Sequence, residues 1–236
     1  MIFEPPLIRG VLLRRYQRFL ADIVLDTGES ITAHTPNTGS MLGCAEPGSR
    51  VWLRYSANPG RKYAYSWELV EVAPGVTVGI NTHLPNRLVQ EGIEQEGIPE
   101  LRGYTSLRRE VRYGEEGSRI DLLLSGHERY PETFVEVKNV TAAVENGIAL
   151  FPDAVSARGS KHLRELATVA DTGRRAVILF CVQRCDVREV RPADAIDPLY
   201  GKTLRMALER GVEALAYQFR VSPQGAELEQ RLPVVV

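Results

Sequence analysis

Short runs of alternating apolar and polar residues fill the first third of the chain. "LIRGVLLRRY", "FLADIVLD", "ESITAHT", "SRVWLRY" and "YAYSWELVEVA" follow one another, separated by Gly, Pro and Asn. A period of two is that of a half-buried strand. Five short strands in about 75 residues predict a small closed barrel, most economically an OB-like one. After "GVTVGINTH" the period changes. "LPNRLVQEGIEQEG" places Leu84, Leu88 and Ile93 on one side of a helix, and "SLRREVRYG", "SRIDLLLSG" and "TFVEVKNVT" follow as strands. "DAVSARGSKHLRELATVADTG" predicts a helix with Asp153 as N-cap, Val155, Leu163, Leu166 and Ala170 as its apolar stripe, and Gly173 as its stop. A buried strand ("RRAVILFCVQ"), a helix ("DPLYGKTLRMALERG") and a strand ("VEALAYQFRV") complete the pattern. The expectation is an α/β protein of two domains: a barrel over residues 1–82, then a mixed sheet flanked by helices over residues 83–236.

Two of the apolar runs carry charge at their centre: Asp121 in "SRIDLLL", and Glu136 and Lys138 in "FVEVKN". An ionised group out of water costs several kcal/mol unless it is compensated. Alternate strand residues share a face, so Glu136 and Lys138 project together. If the two strands form a hairpin about "SGHERYPE", Asp121 falls opposite Glu136, with Cβ atoms ~5 Å apart. Two carboxylates so close repel, and a divalent cation relieves the repulsion; hard oxygen ligands suit Mg²⁺ or Mn²⁺. An ion pair on a solvated strand edge is the alternative.

Composition narrows the partners. The chain has 236 residues, is 44% hydrophobic and carries a net charge of −1, so any nucleic-acid site must be a local patch. Arg9, Arg14, Arg15 and Arg18 offer one near the start, and Arg14, Tyr16 and Arg18 share a strand face. In "RKYAYSW", Tyr63, Tyr65 and Trp67 alternate onto one face behind Arg61, as barrel core or as a stacking platform for bases. Cys44, Cys181 and Cys185 read as small buried hydrophobes in a reducing cytoplasm. No run reaches membrane-spanning length, so no membrane partner is expected. Arg158, His162 and Glu165 share a helix face: either Arg158 and His162 contact a phosphate or a water, or the face lies in solvent.

Asp121 and then Glu136-Val137-Lys138, within an αβββαβ order, resemble the PD-(D/E)xK nuclease core. "HTPNTGSMLGC", "RKYAYSWELV", "NRLVQEGI", "SRIDLLL", "VEVKNVT", "FPDAVSARGSKHLREL" and "GVEALAYQFRVS…LPVVV" together resemble the sugar fermentation stimulation protein (SfsA) family over essentially the whole chain. The resemblance implies an OB-like domain on a PD-(D/E)xK nuclease-like domain, in a DNA-binding protein linked to regulation of sugar use. It also implies that Asp121, Glu136 and the Val137 carbonyl are metal ligands, that Lys138 is the catalytic lysine, and that Glu91 adds an acid from the first core helix. The motif's leading Pro is absent, Ile120 standing in its place. The leading expectation is a largely sequence-independent DNA-binding protein with a divalent-metal-dependent phosphodiesterase site. The alternative is a non-catalytic regulator on the same fold. RNA beside DNA, and a homodimer, both stay open. A sugar-metabolising enzyme ranks third, for lack of a Gly-rich phosphate loop or a nucleophile–base motif.

Overall fold

The alternating runs form strands β1 (Ile8–Tyr16), β2 (Leu20–Leu25), β3 (Ser30–His34), β4 (Arg50–Tyr55) and β5 (Tyr65–Ala73), and β6 (Val76–Gly79) adds a sixth. The computed structural model describes residues 1–114, 117–130 and 132–236. β1 pairs antiparallel with β2 and β4, β2 with β3 and β4 with β5, and a short parallel pairing of β3 with β5 closes the OB barrel. Leu12, Ile23, Leu53 and Trp67 fill its interior, fully shielded from water. Of the three alternating aromatics only Trp67 belongs to that core. Tyr63 precedes β5, and Tyr65 is half-buried against the Tyr55 ring, centroids 5.4 Å apart. Gln17 (φ 48°) and Arg18 (φ 65°) are left-handed, so the chain turns between β1 and β2 there. Arg18 therefore sits in the turn and not on a strand face with Arg14 and Tyr16.

The second domain begins with α1 (Pro85–Glu94), followed by β7 (Ser106–Tyr113), β8 (Ser118–Ser125) and β9 (Glu132–Val140). Two short strands, β10 (Ala142–Val144) and β11 (Ile148–Phe151), lead to α2 (Ala157–Asp171) and β12 (Arg175–Val182). β13 (Glu189–Pro192), α3 (Pro198–Glu209), β14 (Glu213–Ser222) and β15 (Gly225–Leu232) complete the chain. The main sheet has the order β15-β14-β12-β9-β8-β7, with β12 parallel to β9 and β14 and the remaining pairs antiparallel. One face packs Leu122, Val135, Val137 and Leu179 under α1 and against Trp52 and Leu69 of the barrel. The other packs Ile178 and Phe180 under α2 and α3.

Several expectations need correction. Between β9 and α2, where the pattern predicts no element, β10 and β11 form a hairpin, and β11 pairs in parallel with β13. Strands of three or four residues are too short to show a period. α2 is capped by Ser156, whose side chain accepts from the Gly159 N–H at 3.0 Å. Asp153 is used elsewhere, and Val155 is 77% exposed, outside the helix's apolar stripe. Cys44 and Cys181 are buried, but Cys185 is exposed after β12. The β8–β9 hairpin forms about the expected interval, of which Pro131 lies outside the described residues. Among the described residues no helix is long and apolar enough to cross a membrane.

Candidate active site

The β8–β9 ladder pairs Ser125 with Glu132 through to Leu122 with Val135, and continued by one residue it sets Asp121 opposite Glu136. There the two strands part. The Asp121 Oδ2 accepts the Val137 N–H at 2.7 Å, where an unbroken ladder would use the Ile120 carbonyl. The break extends to the other side of β8. Pairing with β7 skips from Arg109–Leu122 to Val111–Ile120, and Glu110 between them is left-handed (φ 53°). A carboxylate set into an apolar strand is thus accommodated by a local opening of the sheet. A residue's N–H and C=O leave a strand on the same edge, so the Val137 carbonyl also faces this opening. Asn86 of α1 donates to Asp121 Oδ1 at 2.9 Å. Burial, and next to it the charge of Glu136, push the Asp121 carboxyl up to about 6.

Glu136 is 2% exposed. Its Oε1 receives the Lys138 Nζ at 2.6 Å and also contacts His162 Nδ1. The Arg158 Nε donates to His162 Nε2 at 3.3 Å, which leaves Nδ1 to carry the ring proton and donate to Glu136. Burial alone would raise the Glu136 carboxyl; the Lys138 charge and the His162 hydrogen bond outweigh it and hold it below its ordinary value. Its second oxygen, Oε2, has no partner among the described residues. Of the shared face of α2, His162 and Glu165 point inward, each 5% exposed, while Arg158 at its start is exposed. Both Glu165 oxygens and the Tyr113 hydroxyl lack partners among the described residues. Burial first, then the charges of Glu136, Glu165 and Asp121, push the Tyr113 hydroxyl well above its ordinary range.

Glu91 does not join this group. Its carboxylate pairs with the Met1 amino group at 3.2 Å and with Arg87 at 3.7 Å, and Asn86, one turn earlier, is the α1 residue that reaches Asp121. Of the barrel residues, Arg14 is paired with Asp22 at 2.8 Å and lies over the Tyr16 ring, whose hydroxyl also donates to Asp22. Arg61 donates to Ser66 at 2.7 Å. Arg15 donates to the carbonyls of Arg18, Asn37, Gly39 and Ser40, holding the β3–β4 connection. Asp153 grips the same connection from the second domain, accepting from the Met41 N–H at 2.9 Å and from Ser40 Oγ at 3.2 Å. Asp121, Glu136 and Lys138 stand out in the sequence as charges misplaced in apolar runs. Asn86 and Tyr113 carry no such signal, being ordinary polar residues on a helix and an edge strand.

Fold and site together define a class: a two-domain α/β protein in which an OB barrel is fused to a mixed-sheet domain bearing a buried Asp/Glu/Lys group. Two family profiles match the chain, the SfsA N-terminal OB domain over residues 13–80 and the Sugar fermentation stimulation protein RE domain over residues 83–225. The chain belongs to the sugar fermentation stimulation protein (SfsA) family. A sugar fermentation stimulation protein homolog of Alkalilimnicola ehrlichii is 62% identical over 235 residues, 99% of each chain. One of Thioalkalivibrio sulfidiphilus is 62% identical over 234 residues, 99% of this chain and 98% of its own. The solved structure of Pyrococcus furiosus SfsA, in complex with Ca²⁺, matches with a TM-score of 0.90 at 31% identity, covering 100% of this chain and 98% of its own.

Proposed function

We propose that this protein binds nucleic acid, DNA in the first place, and hydrolyses its phosphodiester bonds with a divalent cation held at Asp121, Glu136 and the Val137 carbonyl. The observation that carries the reading is the Glu136 carboxylate, 2% exposed with Oε2 unpartnered, beside an Asp121 pushed up to about 6. Hard oxygen donors and unrelieved carboxylate repulsion fit Mg²⁺ or Mn²⁺. The Ca²⁺ in the Pyrococcus furiosus relative, another oxygen-seeking cation, supports the same choice. Bound there, the cation would neutralise the carboxylates and act as a Lewis acid on a phosphoryl oxygen. Asn86 orients Asp121, and His162 orients Glu136. Lys138 places an ammonium 2.6 Å from Glu136, where it stabilises charge that develops on a phosphate. Tyr113, kept protonated by burial, offers a neutral O–H to the same region.

The test is cleavage of a panel of single- and double-stranded DNA and RNA with Mg²⁺, Mn²⁺ or EDTA. Wild type should cut at least one substrate with metal and none with EDTA. Lys138→Ala should lower turnover ~10²–10³-fold while binding with Ca²⁺ is kept. A second reading, a nucleic-acid-binding regulator with a silent site, is favoured by one observation. The Lys138 charge is already spent on Glu136, its Nζ lying 2.6 Å from Oε1. Binding without cleavage under any metal would establish that reading.

A further inference from the structure

A cavity of about 690 Å³ lies between the edge strand β7 and the helices α2 and α3; Asp121 and Glu136 do not line it, but Tyr113, which feels the charge of both, does. Its floor is apolar, formed by Val111, Leu123, Phe134 and Val169. Tyr113 and Glu165 line it at the end of β7 nearest Asp121 and Glu136. Five arginines also line it, against two glutamates. Two of the five are engaged: Arg174 lies over the Phe134 ring and donates to Thr172, and Arg210 pairs with Asp171. The guanidinium groups of Arg108, Arg112 and Arg164 have no hydrogen-bond or ion-pair partner among the described residues. By contrast, Arg14, Arg15 and Arg61 of the barrel are all committed to protein groups.

We propose that this groove holds a single strand of DNA, with its phosphates on Arg108, Arg112 and Arg164 and its sugars and bases on the apolar floor. The strand would pass Tyr113 and Glu165 to reach the Asp121–Glu136–Lys138 site. The inference rests on the phosphodiesterase reading above and gives it a substrate path. Guanidinium groups match phosphate with paired hydrogen bonds, and three of them without a protein partner among the described residues, two on β7 and one across the cavity on α2, offer anion sites on both sides of the groove. Arg108 and Arg112 flank the left-handed Glu110 on β7 and Arg164 stands on α2, so each guanidinium takes its own phosphate. The apolar floor takes the faces of unpaired bases, which a single strand exposes and a duplex keeps stacked inside.

The experiment measures anisotropy of a labelled single-stranded oligodeoxynucleotide with wild type and with the triple variant Arg108→Ala, Arg112→Ala, Arg164→Ala, in Ca²⁺ over a series of salt concentrations. The variant should bind at least tenfold more weakly, and the slope of log affinity against log salt should fall by about 2, near 0.7 for each phosphate no longer neutralised. Duplex binding should change much less. Unchanged single-strand binding would overturn the proposal and leave the arginines as guards of an edge strand; equal loss on duplex would also overturn it. If wild type binds no nucleic acid at all, the phosphodiesterase reading falls as well, so the two failures are distinguishable. Should the triple variant not fold, hydrogen exchange on wild type decides. Single-stranded DNA should protect amides of Ser106–Tyr113, and no protection there refutes the groove.

Discussion

Asp121 carries its proton to about pH 6 in the folded chain and to 3.8 in the ordinary state. The folded pKa is the higher one, so the cost of ionising Asp121 is absent below pH 3.8, grows as pH rises and is complete above about 6. That difference corresponds to about 2–3 kcal/mol. Asp121→Asn, which keeps an oxygen for the Val137 N–H, should therefore raise metal-free stability by about that much at pH 7 and by almost nothing at pH 4. Urea denaturation at both pH values checks this. Mn²⁺ should then stabilise wild type but not the variant. Glu165 gives a second residue-scale expectation. A buried carboxylate with both oxygens unpartnered costs roughly 1–3 kcal/mol, so Glu165→Met should raise the urea midpoint at neutral pH. The Asp121, Glu136 and Lys138 trio is legible in the sequence because charge inside an apolar run breaks a pattern. The choice between Glu91 and Asn86 is not. Both sit on a helix's polar side, and only the packing of α1 on the sheet decides which one meets β8.

α2 presents His162 and Arg158 to Glu136, and its first turn is held by two acceptors. Ser156 caps the Gly159 N–H, while Asp197 Oδ2 accepts the Ser156 N–H at 2.7 Å. The other Asp197 oxygen caps α3 through the Tyr200 N–H at 3.0 Å, so one carboxylate pins two helix starts. Ser156→Ala should cost about 1 kcal/mol in thermal or urea unfolding, with Ser156→Asn restoring it. Helices and long strands are readable here because an apolar stripe or an alternation repeats several times within each. β15 is not: its outward residues are Glu, Gln and Arg, as suits an edge strand, and they mask the alternation. The direction of the His162 face is also hidden, because a buried polar network and a solvated helix face use the same residues.

At the scale of the molecule, the β3–β4 connection is held from both domains. Arg15 of the barrel takes its carbonyls, and Asp153, just ahead of α2, takes the Met41 N–H and the Ser40 hydroxyl. Thr82, at the join between domains, donates to the Pro36 carbonyl at 3.0 Å. Gly39 permits the approach, since a Cβ there would lie 2.8 Å from Asp153 Oδ2. Asp153→Ala should accelerate hydrogen exchange at the Met41 amide about tenfold or more while leaving the barrel strands protected, because one charge-assisted bond of about 1.5–3 kcal/mol is removed locally.

The double grip bears on how such a protein can change over time. A barrel exchanged for one from a distant relative would bring its own connection but not the aspartate 112 positions later that fastens it. Successful chimeras should therefore be those in which the residue at Asp153 travels with the barrel, and substitutions at Gly39 and Asp153 should be tolerated together more often than singly. Two stretches of chain that fold as separate domains are, at this loop, one unit of selection.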